Sequence, residues 1–120
     1  MQAEEISRAA VEALEDIKAT DIVVLDVRKM SSLFDYVIVA SAESARQTRA
    51  LVSNLLDRIK PLGGKIIGVE GENAGEWVLV DLGDVVVHVM QPAIRSYYNL
   101  EQLWGGEAPK VKSAYQAHGG

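Results

Sequence analysis

Four aspartates and one histidine are the residues of this chain best suited to chemistry. Asp81 and Asp84 flank a Leu82-Gly83 turn, Asp26 and Asp35 stand at the ends of other apolar runs, and His88 lies among valines. Clustered carboxylates hold Mg²⁺ for phosphoryl transfer, and a histidine serves as a general base near neutral pH. That chemistry describes a metal-dependent nucleotidyl or phosphoryl transferase using Asp81, Asp84 and His88. The structural reading competes with it and is preferred. Aspartates cap turns and keep strand ends soluble, and a histidine inside an apolar strand is usually a satisfied, partly buried side chain. A nucleotidyltransferase carries a Gly-Ser loop and then an Asp-x-Asp pair on one strand. Here Ser31-Ser32 stands where the Gly-Ser would be, and no Asp-x-Asp occurs. His118 is too distant in sequence to suggest a metal site with His88. No serine stands in a nucleophile elbow, and Gly63-Gly64 and Gly68-x-x-Gly71 match neither phosphate-binding fingerprint. The expectation is no catalytic residue, no metal and no cofactor.

A second group suits recognition better than catalysis. Glu70, Glu72 and Asn73 precede Trp77 at the mouth of a β-patterned run. Acidic residues beside an indole fit a basic, partly apolar protein surface, since tryptophan, tyrosine and arginine are the commonest interface anchors. Large aromatics also fill cores, and the residues alone leave Trp77 open between the two. Tyr97, Tyr98 and Trp104 pose the same question, with two of the three expected on the sheet and one facing out. Arg46, Arg49 and Arg58 could touch phosphate, which would describe an RNA-binding assembly factor. Diluted by Asp57, they read better as a solvated helix face. The net charge of -5 points the same way, because phosphate-gripping domains carry a basic excess.

The elements that must position these residues follow from periodicity. Glu4 to Thr20 reads as an amphipathic helix with Ile6, Ala10, Ala13, Leu14 and Ile17 on one stripe. Asp21–Val27 and Asp35–Ala40 are almost wholly apolar, which predicts strands covered on both faces. A helix from Glu43 to Lys60 follows, with a Ser44/Gln47 capping box and Pro61, Gly63 and Gly64 as its stop. Lys65–Val69 is a third strand. Glu76–Asp81 and Asp84–Met90 form a hairpin through Leu82-Gly83. A short helix from Ala93 to Trp104 ends at Gly105-Gly106. The order is helix-strand-strand-helix-strand-strand-strand-helix, an α/β fold with a mixed sheet of about five strands flanked by helices. At least one strand pair should be parallel.

A chain of 120 residues is long enough for one self-sufficient core. Residues 1–106 form the expected domain and 107–120 a flexible tail. With no cysteine, neither disulfides nor thiolate metal sites arise. That composition suits a reducing compartment. No run is long and apolar enough to span a membrane, and the acidic N-terminus is no signal peptide. The expected location is cytoplasmic.

Ordered motifs then carry a resemblance from about Asp21 to Trp104. They are Asp21-Ile22-x-x-Leu25-Asp26-Val27, Ser31-Ser32-x-x-Asp35, Gly68-Val69-Glu70-Gly71-Glu72-Asn73, Trp77, Val80-Asp81-Leu82-Gly83-Asp84-Val85, His88-Val89-Met90 and Tyr98-x-Leu100-Glu101-x-Leu103-Trp104. The chain resembles the ribosomal silencing factor family, also called Iojap. The resemblance implies a nucleotidyltransferase-like α/β sandwich that is not known as catalytic. It implies a translation regulator that binds a basic protein of the large ribosomal subunit on the intersubunit face. Occupying that face blocks subunit joining when nutrients are scarce, while organellar relatives act in large-subunit assembly. By the family's pattern the partner contact falls on the Trp77 side of the sheet, with Glu70, Glu72, Asn73 and Asp81. Direct RNA contact would be minor or absent. A strand edge or the aromatic C-terminal helix offers a surface for a homodimer.

Overall fold

Alanine and leucine at helical spacing build the first helix, α1 (Ala3–Asp16), whose buried stripe runs through Ile6, Ala10, Ala13 and Leu14. In the computed structural model, which describes residues 2–100, this helix stops four residues before the sequence pattern does. Lys18 turns left-handed (φ 67°), and its N–H and that of Ala19 close on the Glu15 and Leu14 carbonyls. The apolar period continues to Ile17 because that side chain still packs on the core after the helix has ended.

β1 (Thr20–Asp26) and β2 (Tyr36–Ser41) form an antiparallel pair, and α2 (Ala45–Ile59) follows. The α2 cap is built from the residues that predict it, with Ser44 Oγ accepting from the Gln47 N–H at 3.0 Å. Gln47 Oε1 reaches past the cap to the Glu43 N–H (2.7 Å). Its Nε2 donates to the Ile17 and Lys18 carbonyls, tying α2 to the end of α1. Arg58 clamps the same two helices by pairing with Glu12 and Asp16. A single 3₁₀ turn, Lys60–Leu62, ends α2.

β3 (Gly68–Glu70), β4 (Trp77–Asp81) and β5 (Val85–Met90) complete the sheet, and α3 (Pro92–Tyr98) follows. The third strand is shorter than the expected Lys65–Val69 run. Gly68 already pairs with Asp81, the last residue of β4, so earlier residues have little to bond to. Beyond that point Ile67 adds one hydrogen bond, to the Asp81 carbonyl. The predicted 93–104 helix is interrupted at Asn99, which turns left-handed, and Leu100 is again helical. Residues 101–120, including Trp104 and the expected tail, lie outside the described part.

The sheet order is β1-β2-β5-β4-β3. β2 and β5 are parallel and all other pairs antiparallel, which is the mixed sheet the element order predicts. α1 and α2 cover one face, packing Leu14, Leu51, Val52, Leu55 and Ile59 onto Ile38, Val80, Val87 and Val89. The other face is covered unevenly. Phe34, Ile94 and Leu100 pack over Val23, Leu25, Val37, Val39 and Met90. That second layer explains why β1 and β2 are buried on both sides. β4 alternates between buried and half-buried residues, because among the described elements α3 reaches its second face only at the Trp77 end.

A candidate partner-binding face on the open half of the sheet

Strand register decides which side chains share the surface left open by the described elements. Cross-strand pairs line up Glu70, Leu79, His88, Val39 and Val23 in one row, and paired residues point to the same face. Trp77 lies two residues before Leu79 on that face, opposite Met90. It is therefore the diagonal neighbour of His88, within reach for a large aromatic. Its indole Nε1–H donates to His88 Nδ1 at 3.0 Å. Tyr98 of α3 packs on the other side of the indole, with centroids 4.8 Å apart, and Tyr97 stands edge-on to Tyr98 at 5.0 Å. Tyr97 is 81% exposed and Tyr98 51%. Tyr97 thus faces out and Tyr98 only half packs, while Trp104 lies outside the described residues.

Trp77 takes both roles that the residues left open. One side joins the small core under α3. Another lines a shallow depression of about 300 Å³ together with Glu70, Gly71, Leu79 and His88. Of the other residues expected at the contact, Glu72 and Asn73 are exposed on the loop after β3. Asp81 lies on the same face at the far end of β4, about 13 Å from Trp77 at strand rise. Its carboxylate accepts from the Gly83 N–H at 2.9 Å, which shapes the turn into β5. Leu79 and Tyr98 were not expected in this site. The alternation Trp77-Val78-Leu79-Val80 was the available signal for Leu79.

The acidic loop is held from below. Arg49 of α2 donates to the Glu72 carbonyl at 3.3 Å and the Asn73 carbonyl at 3.0 Å. With Arg58 committed to Glu12 and Asp16, two of the three arginines considered for RNA are engaged within the domain. Gly71 opens the loop at φ +94°, and a Cβ there would collide with the Trp77 carbonyl oxygen. Gly83 has the same φ but open space around it. Gly71→Ala should therefore destabilise by about 1–3 kcal/mol from strain and collision together. Gly83→Ala should sit at the low end of that range. Thermal melts of the two variants test the order, and equal losses would remove the collision argument.

The carboxylates considered for metal chemistry gather at one end of the sheet but do not converge. Asp26 is chelated by Arg28, whose hydrogen bonds hold its carboxyl below the usual range. The Asp35 N–H and the Asp84 carbonyl bond each other through the backbone at 2.7 Å. Among the described residues no three Asp, Glu or His side chains are grouped to hold a metal ion. His88 lies about 10 Å along β5 from the aspartate end. Burial lowers its pKa to about 4, so it is neutral at physiological pH.

The fold is an α/β domain whose five-stranded mixed sheet carries helices on one face and an aromatic and acidic patch on the other. The chain belongs to the ribosomal silencing factor family. The family described as "Ribosomal silencing factor during starvation" matches residues 1–118. The ribosomal silencing factor of Chromobacterium violaceum is 55% identical over 109 residues, covering 91% of this chain and 89% of that protein. A crystal structure from the same organism has a TM-score of 0.87 at 55% identity, covering 92% of both chains. A mouse relative named "Mitochondrial assembly of ribosomal large subunit protein 1" is 35% identical over 97 residues, 78% of this chain and 42% of its own length. Family and fold are those that the motif resemblance implies. Among the described residues no helix is long and apolar enough to cross a membrane.

Proposed function

We propose that this protein silences translation sterically. It binds a basic protein on the intersubunit face of the large ribosomal subunit and excludes the small subunit. Family membership supports ribosome association, and the mouse relative's name points to the large subunit. The observation that carries the reading is the half of the sheet that no described element covers, where Trp77 lines a depression with Glu70 and packs against Tyr98. A half-exposed aromatic on a rigid strand with carboxylates at the rim fits an interface hot spot with a polar border. The work is proposed to take place in the cytoplasm, where the subunits join.

Co-sedimentation with separated subunits tests it. The protein should pellet with the large subunit and not the small one, and it should lower the yield of joined ribosomes. Pelleting with neither subunit would overturn the proposal. Reversing Glu70 and Glu72 to lysine should weaken binding about tenfold at low salt. The deficit should shrink above about 0.15 M salt, where screening falls to roughly 8 Å. Equal affinities across the salt series would remove the electrostatic part.

A further inference from the structure

His88 is the buried titratable group on this face that steric silencing does not use. Indole nitrogen only donates, so the ring nitrogen facing Trp77 Nε1 at 3.0 Å must be an unprotonated acceptor. A neutral imidazole with Nδ1 occupied as acceptor carries its proton on Nε2. Among the described residues none accepts from that nitrogen. The ring is mostly buried yet lines the depression shared with Leu79, Trp77 and Glu70. Its strand neighbours across the row are Leu79 and Val39, neither of which offers a side-chain acceptor.

We infer that His88 is a specificity-determining residue of the partner face, whose Nε2–H, fixed by Trp77, donates to an uncharged carbonyl oxygen of the docked protein. This rests on the proposed binding to the large subunit. A donor-only nitrogen selects an acceptor and rejects a lysine or arginine head at that point. Glu70 in the same depression disfavours a carboxylate or phosphate oxygen, leaving a main-chain or carboxamide carbonyl. Trp77 thus acts twice, as contact surface and as the group that sets the His88 tautomer. Once docked, the partner's carbonyl would be cut off from water, so losing the donor leaves it unpaired and costly.

The test compares wild type, His88→Leu and His88→Gln for affinity to isolated large subunits, with a thermal melt for each. Leucine suits a half-buried strand position but neither accepts from Trp77 nor donates outward. Glutamine does both. Leucine should weaken binding about tenfold to a hundredfold while keeping a cooperative melt. Glutamine should stay within about threefold of wild type. Nitrogen-15 NMR of the free protein should place the imidazole proton on Nε2. A leucine variant that binds like wild type, or a proton found on Nδ1, overturns the inference alone. Wild type that pellets with neither subunit overturns the silencing reading and this inference with it.

Discussion

Trp77→Ala is expected to abolish most large-subunit binding while leaving a folded domain. Buried tryptophans at interface centres cost at least 2 kcal/mol when truncated, a loss of about thirtyfold or more. The substitution removes the indole from the depression, strips Tyr98 of its stacking partner and leaves His88 Nδ1 without its donor. The fold should survive because the larger core lies on the other face, under α1 and α2, and contains no atom of Trp77. The smaller core beneath α3 does include it. The melt should therefore move down, by less than the 3–5 kcal/mol typical of fully buried Trp→Ala. Co-sedimentation and a thermal melt on the same preparation separate the two effects. Full binding by a folded variant would move the contact off this face, and loss of the cooperative melt would make Trp77 structural.

Acid should destabilise the protein through His88. Burial lowers the folded-state pKa to about 4, while an unfolded chain holds histidine near 6.5. Between those values the unfolded state binds more protons than the folded one. Stability therefore falls as pH drops from about 6.5 to about 4 and levels off below, a loss of about 3 kcal/mol from this group. Protonation would also remove the acceptor for Trp77 Nε1–H. Asp26, lowered by its bonds to Arg28, loses its contribution only as pH falls through its own, lower range. Denaturant melts of wild type and His88→Gln at pH 7, 6, 5 and 4.5 isolate the histidine share by difference. Parallel curves would show that the ring is solvated and that the Trp77–His88 bond adds no penalty to protonation.

The sequence made most of the elements legible because their physics is local. Helical spacing marked α1 and α2, unbroken apolar runs marked β1 and β2 as doubly covered, and a turn between β-branched runs marked the β4–β5 hairpin. The errors fall where a boundary depends on a distant partner. The third strand shortened to Gly68–Glu70 because β4 ends at Asp81. The first helix ended while Ile17 still packed.

The site divides along the same line. Glu70 and Trp77 could be picked out from residue type, since acid beside indole is unusual. The alternation along β4 pointed to Leu79, but the place of Tyr98 and His88 beside it could not be read, because nothing in the spacing says that β3 pairs with β4, that β2 pairs with β5, or where α3 lies on the sheet. Composition and periodicity determined an α/β chain without thiol chemistry and without a nucleotidyltransferase Asp-x-Asp, and ordered motifs indicated its family. Tertiary structure decided which half of the sheet the described elements leave open, because cross-strand register and the placement of α3 are long-range facts. It also decided that Trp77 belongs to both a core and a surface, and that its indole N–H donates to His88 Nδ1.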